Sequence, residues 1–511
     1  MAVLTSTITV DPAYVIGEID PRMRGSFVEH LGRCVYTGIY EPGHTTADGD
    51  GFRFDVRDLT RDLGVSIVRY PGGNFVSGYR WEDGVGPREE RPTKLDLAFQ
   101  SIETNAVGIG EFMAWTRTVG AEAMMAVNLG TRGVEEAAAL VEYCNHPGGG
   151  YWSDLRHRHG RADPYGIGVW CLGNELDGPW QIGRKPAREY GILAAAAGAA
   201  MRRVDPSIQL VACGSSGRRM ATYAAWEAEV LEHTYEVVDY ISVHAYHGPR
   251  GDTRADYVDF MAAGADMDAM ITQVIGTSDY VGAKLKSRKR LNLSFDEWNV
   301  RHTHGTWRQG HEPWTVAPPL IEDTHSVTDA VVVGSMLNSL LRHADRVTMS
   351  CFAQLVNIHA PIRTAAGGPA WRQASYYPMQ AVFAHSQGQS IRLAVESPPM
   401  TTQSYGDVDQ VDAAATRDED GSLTVFVVNR SLDDAVLSDV VVRAMGQPHV
   451  TEHVLLHDDD PDATNTHDHP DRVRPRHLDP PGLDGGRLQV MLPPRSWQMI
   501  RIVDDAGRRN A

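Results

Sequence analysis

The sequence predicts an α/β protein, a (β/α)8 TIM barrel with a C-terminal antiparallel β-sandwich of jelly-roll-like strand spacing. Three observations predict it. The length, 511 residues, exceeds one small domain and suits a large barrel with an attachment. From about residue 25 to 385, short apolar runs alternate with longer helical patterns, the βαβ signature of a parallel sheet. After His385 the texture changes to short alternating segments separated by Gly, Pro and Asp, as in an antiparallel sandwich.

In chain order the eight expected barrel strands are Gly25–Glu29, Val65–Tyr70, Glu122–Asn128, Gly168–Glu175, Gln209–Gly214, Val238–His244, Arg290–Glu297 and Arg346–Gln354. Each is largely apolar, as a strand must be when helices cover its outer face. The helical patterns between and after them are Asp55–Leu63, Gly110–Val119, Val134–Cys144, Ala187–Val204, Thr222–Thr234, Ala255–Leu285, His325–His343 and Ser375–His385. Eight of each point to a closed ring, which leaves no parallel edge exposed. The sandwich strands are Ser390–Val395, Gln410–Thr416, Leu423–Asn429, Val436–Val442, His449–Leu455, Leu488–Leu492 and Ser496–Val503. The strand-like first twenty residues are expected to return and pair with them, giving a barrel over 21–385 and a sandwich built from 1–20 plus 386–511.

Composition narrows the function. Hydrophobic residues make up 42% and charged residues 22%, ordinary globular usage. With 48 Lys and Arg against 66 Asp and Glu the formal net charge is −18, which repels phosphate backbones and anionic membranes, so neither nucleic acid nor membrane is an expected partner. The N-terminal stretch alternates like a strand and lacks the basic start and apolar core of a signal peptide, and the longest apolar run, Ala330–Leu341, is too short and interrupted to span a bilayer. A cytoplasmic protein is the expectation. Cys34, Cys144, Cys171, Cys213 and Cys351 are odd in number and never in a C-x-x-C pair, so buried free thiols are expected rather than disulfides or a zinc site. The His- and Asp-containing tract from His457 to His477 is acidic, Pro-rich and outside the barrel, and reads as a solvated loop. No metal or cofactor is expected.

In such barrels the reacting side chains sit at the C-terminal strand ends, where the loops converge. Strand one ends in Glu29, strand two in Arg69 followed by Pro71-Gly-Gly-Asn74, strand three in Asn128, and strand four in Gly173-Asn174-Glu175. Strand six ends in His244-Ala-Tyr246, strand seven in Phe295-Asp296-Glu297-Trp298-Asn299, and strand eight in Gln354. One carboxylate after a strand is ordinarily a helix cap or a loop ion pair. Two, Glu175 and Glu297, from strands far apart around the ring, suit the cleavage of a glycosidic bond, which needs an acid for the leaving oxygen and a carboxylate facing the oxocarbenium-like carbon. A neighbouring charge or an apolar wall such as Trp298 or Trp180 would push their pKa values apart.

At these residues the chain resembles the α-L-arabinofuranosidases of glycoside hydrolase family 51. Six blocks in order carry the resemblance: Gly25-Ser-Phe-Val-Glu-His-Leu-Gly-Arg33 with Gly38-Ile-Tyr40, Arg69-Tyr-Pro-Gly-Gly-Asn-Phe75, Glu103-Thr-Asn105, Gly173-Asn-Glu-Leu-Asp-Gly-Pro-Trp180, Ser242-Val-His-Ala-Tyr246 and Phe295-Asp-Glu-Trp-Asn299. The resemblance implies Glu175 as general acid/base and Glu297 as nucleophile of a retaining exo-acting enzyme, with the carboxyl groups about 5–5.5 Å apart. It places Glu29, Arg69, Asn74, Asn174, His244, Tyr246 and Gln354 around the furanose ring. Asn174 is suited to the sugar 2-hydroxyl, Arg69 to orienting Glu297 or Glu29, and His244 and Tyr246 to holding the nucleophile. Phe99 stands where many relatives carry tryptophan, and Val300–Trp307 departs from relatives with an aromatic just after the valine. The resemblance further implies arabinofuranosyl oligosaccharides as substrate and a homo-oligomer, often a hexamer. Two rival readings remain open: an endo-acting β-glucanase or xylanase with the same glutamate pair, and a carbohydrate-binding barrel without turnover.

Overall fold

The computed structural model describes residues 4–302 and 311–505. The chain starts with β1 (Leu4–Glu18), then lays down the barrel strands β2 (Gly25–Phe27), β3 (Ile67–Tyr70), β4 (Glu122–Ala126), β5 (Val169–Leu172), β6 (Gln209–Ala212), β7 (Tyr240–His247), β8 (Asn292–Val300) and β9 (Val347–Phe352). They close in the order β8-β9-β2-β3-β4-β5-β6-β7, every neighbouring pair parallel. Side-chain alternation divides the strands between two cores. Phe27, Ile67, Met124, Val169, Val211, Tyr240 and Met349 fill the barrel interior. Val68, Tyr70, Met125, Trp170, Leu210 and Ile241 pack outward under the helices. The five cysteines are buried free thiols.

The helices are α1 (Phe54–Leu63), α2 (Ile109–Val119), α3 (Val134–Asn145), α4 (Tyr151–Arg158), α5 (Ala187–Val204), α6 (Ala225–Thr234), α7 (Arg254–Met261), α8 (Ala263–Leu285), α9 (Val327–Arg342) and α10 (Tyr376–Ala384). Two departures from the expected pattern have local causes. The continuous helix expected over Ala255–Leu285 is two, because Ala262 leaves helical geometry at φ −88°, ψ 7°, and α8 then presses Gly264 onto Ser335. A β-carbon at Gly264 would stand 2.2 Å from the Ser335 hydroxyl, so only glycine lets α8 approach α9 this closely. Helix α4 carries no apolar stripe to reveal it: it buries Ser153 and Arg156, and the Arg156 guanidinium donates to the carbonyls of Tyr143, His146 and Ala162.

The apolar run Ala330–Leu341 lies in α9, which is buried along nearly its whole length between the barrel and a second sheet. A capping box starts it: the Ser326 hydroxyl accepts from the Asp329 amide, and the Asp329 carboxylate accepts from the Ser326 amide at 2.7 Å. Among the described residues no helix is long and apolar enough to cross a membrane.

That second sheet has nine strands. After β10 (Gln389–Glu396) come β11 (Val411–Arg417), β12 (Leu423–Asn429), β13 (Val436–Val442), β14 (Pro448–Leu456), β15 (Arg476–His477), β16 (Arg487–Leu492) and β17 (Ser496–Asp504), hydrogen-bonded in the order β15-β14-β17-β12-β11-β10-β1-β13-β16. β1 runs antiparallel to β10 and parallel to β13, so the N-terminal strand completes the sheet, and the domain is mostly rather than wholly antiparallel. One ladder thus links all the strands, and the sandwich arises as this sheet folds over its own core. Val425 and Val427 share that core with Val440, Val490 and Ile500, while Phe426, Val428 and Trp497 face α9 and the barrel. Gln498 of β17 reaches across to the Met491 carbonyl of β16, at the other end of the ladder, at 2.8 Å. The 457–477 tract is partly anchored: the Val327 amide donates to Ala463, and the buried Asn465 side chain bonds Arg372 and Val473.

Candidate active site

The polar residues that end the barrel strands converge on one mouth. Glu29, Asn74, Phe99, Glu175, Tyr246, Glu297 and Gln354 line a cavity of about 620 Å3 there. Arg69, Asn174 and His244 lie directly beneath, each at most 3% exposed.

Arg69 points up the barrel from β3. Its Nη1 donates to Glu297 Oε1 at 2.6 Å and its Nη2 to Asn174 Oδ1 at 2.8 Å, so one guanidinium fork joins the ends of strands β5 and β8. Asn174 also faces Asn74, with Nδ2 3.4 Å from Oδ1. Tyr246 donates to the other Glu297 oxygen at 2.9 Å.

Glu175 follows Gly173 and Asn174 in a tight turn, where it adopts φ 45°, a left-handed conformation that non-glycine residues seldom take outside functional sites. Its Oε1 accepts from His244 Nδ1 at 2.9 Å and its Oε2 from the Trp180 indole at 2.8 Å. Burial and the nearby Glu297 charge raise the Glu175 carboxyl above its ordinary range, opposed by the His244 and Trp180 donors. Burial disfavours a charged His244, yet the carboxylates of Glu297, Asp296 and Glu175 around it push it up to about 10. Trp180 therefore stands where the sequence places it. Trp298 does not: fully buried against Phe352, it is absent from the cavity lining.

Glu29 accepts from Gln354 Nε2 at 2.9 Å and from the Phe75 amide at 3.0 Å, and burial pushes its carboxyl up to about 8. His30, next to it in sequence, is instead bonded to Glu103 and Tyr70. The Pro-Gly-Gly-Asn loop wraps this carboxyl so closely that a β-carbon at Gly73 would lie 2.3 Å from it. Phe99 sits at the turn of a hairpin, Lys94–Asp96 with Ser101–Glu103, and is 6% exposed at the cavity edge. Asn128 does not join the cavity lining and instead fastens the Tyr79 and Thr131 loop. Residues 303–307 of the departing Val300–Trp307 segment lie outside the described residues.

Asp296 is the member that sequence reasoning missed. In regular pairing, consecutive side chains take opposite faces, which would send Asp296 out of the barrel if Glu297 points in. The β7–β8 register slips here: two steps of β7, from Ser242 to His244, match three of β8, from Ser294 to Glu297. This bulge turns both carboxylates inward. Asp296 Oδ1 accepts from Ser242 Oγ at 2.5 Å, and Arg69 and His244 hold the carboxyl below the usual range against the effect of burial. Arg301, Ile321 and His359 complete the cavity wall on the Tyr246 side, and nothing in their spacing marks them in the sequence.

Glu175, His244 and Glu297 each offer an atom within 4.8 Å of the others, a spacing a cation could use. The His244 nitrogen that would ligate one is the nitrogen donating to Glu175, so the imidazolium itself supplies the positive charge between the carboxylates.

A closed parallel barrel with two buried carboxylates from separate strands meeting at its C-terminal mouth defines the class, a barrel glycoside hydrolase. The particular family follows from comparison with known proteins. Residues 59–264 match the model of the α-L-arabinofuranosidase 1 domain and residues 296–496 that of the α-L-arabinofuranosidase C-terminal domain. An intracellular exo-α-(1→5)-L-arabinofuranosidase of Streptomyces lividans is 53% identical over 505 residues, 98% of this chain and 76% of that protein. One of the same name from Halalkalibacterium halodurans is 52% identical over 98% of this chain and 99% of its own. A family 51 α-L-arabinofuranosidase structure from Bifidobacterium longum superposes with a TM-score of 0.94 at 42% identity, covering 98% of this chain and 100% of that one. The chain belongs to the α-L-arabinofuranosidases of glycoside hydrolase family 51.

Proposed function

We propose that this enzyme removes terminal non-reducing α-L-arabinofuranosyl residues from arabino-oligosaccharides, arabinan or arabinoxylan fragments by double displacement. The observation that carries the mechanism is the carboxylate pair: Glu175 and Glu297 each place an oxygen within 4.8 Å of the other. That approach suits a nucleophile and an acid acting on one carbon, the arrangement of a retaining pair, whereas an inverting pair keeps its carboxyls about 6.5–9.5 Å apart to hold a water.

Glu175, kept protonated by burial, gives its proton to the leaving oxygen as the glycosidic bond breaks. Glu297, fixed by Arg69 and Tyr246, attacks the anomeric carbon and forms a covalent arabinosyl ester. Glu175, now a carboxylate facing His244, takes a proton from water, and that water opens the ester with overall retention. Asn174 is oriented by Arg69 toward the sugar 2-hydroxyl, while Glu29, Asn74 and Gln354 offer hydrogen-bonding groups to the remaining hydroxyls. Phe99 and Trp180 form the apolar rim that meets the leaving group. The two relatives above are named exo-acting on α-(1→5) links and intracellular, which supports α-(1→5)-arabino-oligosaccharides as first substrates and a cytoplasmic setting. Assembly as a homo-oligomer, with a hexamer as the first stoichiometry to seek by sedimentation, rests on the family resemblance.

The test is release of 4-nitrophenol from its α-L-arabinofuranoside by the wild type, Glu175→Ala and Glu297→Ala, with azide added to each. Active wild type, α-configured arabinosyl azide from Glu175→Ala and β-configured azide from Glu297→Ala are expected. The opposite configurations would exchange the roles, and cleavage of β-linked xylo- or gluco-oligomers in place of this substrate would overturn the specificity.

A further inference from the structure

Asp296 is 1% exposed, lies below the cavity floor and does not line the cavity, so it has no route to substrate. Its two oxygens nevertheless approach the undersides of both cations that hold the catalytic pair. Oδ1, anchored by Ser242, lies 3.3 Å from His244 Nε2, and Oδ2 lies 3.7 Å from Arg69 Nε. Both of those nitrogens are buried and make no hydrogen bond among the described residues, so the Asp296 charge is what compensates them from below. The opposite ends of the same two side chains are the donors to Glu175 and Glu297.

We propose that Asp296 is a positioning residue whose charge keeps His244 cationic and Arg69 aligned, above all while the arabinosyl-enzyme exists. The inference rests on the assignment of Glu175 as acid/base and Glu297 as nucleophile. With Glu175 protonated, the ionised groups below the sugar are the anions Glu297 and Asp296 and the cations Arg69 and His244, and the charges cancel. Ester formation neutralises Glu297. Glu175 has by then given up its proton, so until water opens the ester the ionised Glu175 and Asp296 are the carboxylates against both cations, and Glu175 acts as base beside a His244 that stays charged.

The groups facing these side chains come from several of the surrounding strands. Glu175 and Glu297 face His244 from above, and Asp296 faces it from below. Arg69, Ser242 and the thiols of Cys171, Cys213 and Cys351 surround Asp296, and burial raises all three thiols, Cys213 to about 12, so they stay neutral. Lacking Asp296, His244 gives up its proton more readily, and the ionised Glu175 needed in the second step loses its positive partner. The second step therefore suffers more than the first.

Asp296→Asn keeps the shape and removes the charge. On 4-nitrophenyl α-L-arabinofuranoside, whose leaving group departs easily, we expect kcat to fall about 10- to 100-fold, KM to fall with it, kcat/KM to change several-fold less, and a burst of nitrophenol. Azide attacks the anomeric carbon and displaces the Glu297 carboxylate without a general base, so it should raise kcat of this variant at least about fivefold while leaving wild type nearly unchanged. A fall in kcat and kcat/KM together, with unchanged KM, no burst and no azide response, would reduce Asp296 to a structural role. If Asp296→Asn does not fold, Ser242→Ala, which leaves every charge in place but frees the carboxylate, should show the same pattern at about two- to fivefold, and its absence there would overturn the proposal equally. Glu175→Ala and Glu297→Ala run alongside keep the two readings apart: exchanged azide configurations overturn the catalytic assignment, and the assigned configurations with an unresponsive Asp296→Asn overturn only this one.

Discussion

His244 Nδ1 stands 2.9 Å from Glu175 Oε1 and 3.7 Å from Glu297 Oε2, so a single imidazole spans the acid and the nucleophile. Two carboxyls this close would otherwise resist joint ionisation, and the cation between them lets one exchange its proton while the other remains charged. The site is best regarded as one coupled unit of Glu175, His244, Glu297, Arg69 and Asp296.

Trp180→Phe removes the indole donor that favours ionised Glu175 and leaves an aromatic ring in place. Losing a hydrogen bond to the charged form raises the acid's pKa, so the basic limb of kcat/KM should move upward by roughly 0.5–1 pH unit. A downward or absent movement in the pH profile would contradict the assignment of Glu175 as the acid.

Arg69→Ala leaves Glu297 and Asp296 as buried carboxylates without their guanidinium. Removing one partner of a buried pair costs about 3–5 kcal/mol, and the lost orientation of Glu297 and Asn174 should lower kcat/KM about 100-fold or more. Arg69→Lys should recover little, because an ammonium cannot donate to Glu297 and Asn174 in one plane. Denaturant unfolding and steady-state rates of both variants give the comparison.

Glu29→Gln examines the carboxyl whose folded pKa is pushed up to about 8. A raised acid pKa means the folded state holds its proton longer than the unfolded chain. Its contribution is therefore fully present below the ordinary value of 4.5 and is lost as pH rises toward 8. Thermal unfolding from pH 4.5 to 8 should show a shallower decline in the Gln variant than in wild type, and parallel curves would count against this burial effect. KM should rise, since the amide changes which sugar hydroxyls the group can bond.

Gly334→Ala addresses the junction between barrel and sheet. A β-carbon there would lie 2.2 Å from Trp497 Cδ1 and 2.9 Å from its Nε1, so α9 and β17 must separate to admit it. Overpacking of this kind typically costs about 1–3 kcal/mol. Melting temperature should drop, while the kcat of the folded fraction stays near wild type because the mouth is built from other elements.

The barrel was legible because its strands announce themselves as apolar runs ending in polar groups: Val169–Leu172 before Asn174-Glu175 is one, and Gln209–Ala212 inside the expected Gln209–Gly214 is another. Strand ends were overextended, as at Glu29 and Asn128, because a residue that continues the chain direction into a loop looks the same in sequence as one that still pairs. The sheet strands Leu423–Asn429 and Val436–Val442 were readable to the residue from their turns and alternation. Their joining into one ladder through β1 was less so, since it depends on partners more than 370 positions away.

For this protein the sequence by itself determined the barrel and sheet elements, the strand ends that carry Glu175 and Glu297, and a chemistry of paired carboxylates. Those are local matters, set by side-chain periodicity and by which residue stands where an apolar run stops. The tertiary structure alone decided that Asp296 turns inward beside Glu297, that Trp298 turns away while Trp180 reaches Glu175, and that His244 lies between two carboxylates. Each depends on register between strands distant in sequence, where one extra residue in β8 exchanges the faces of the side chains that follow, and no local pattern encodes that slip.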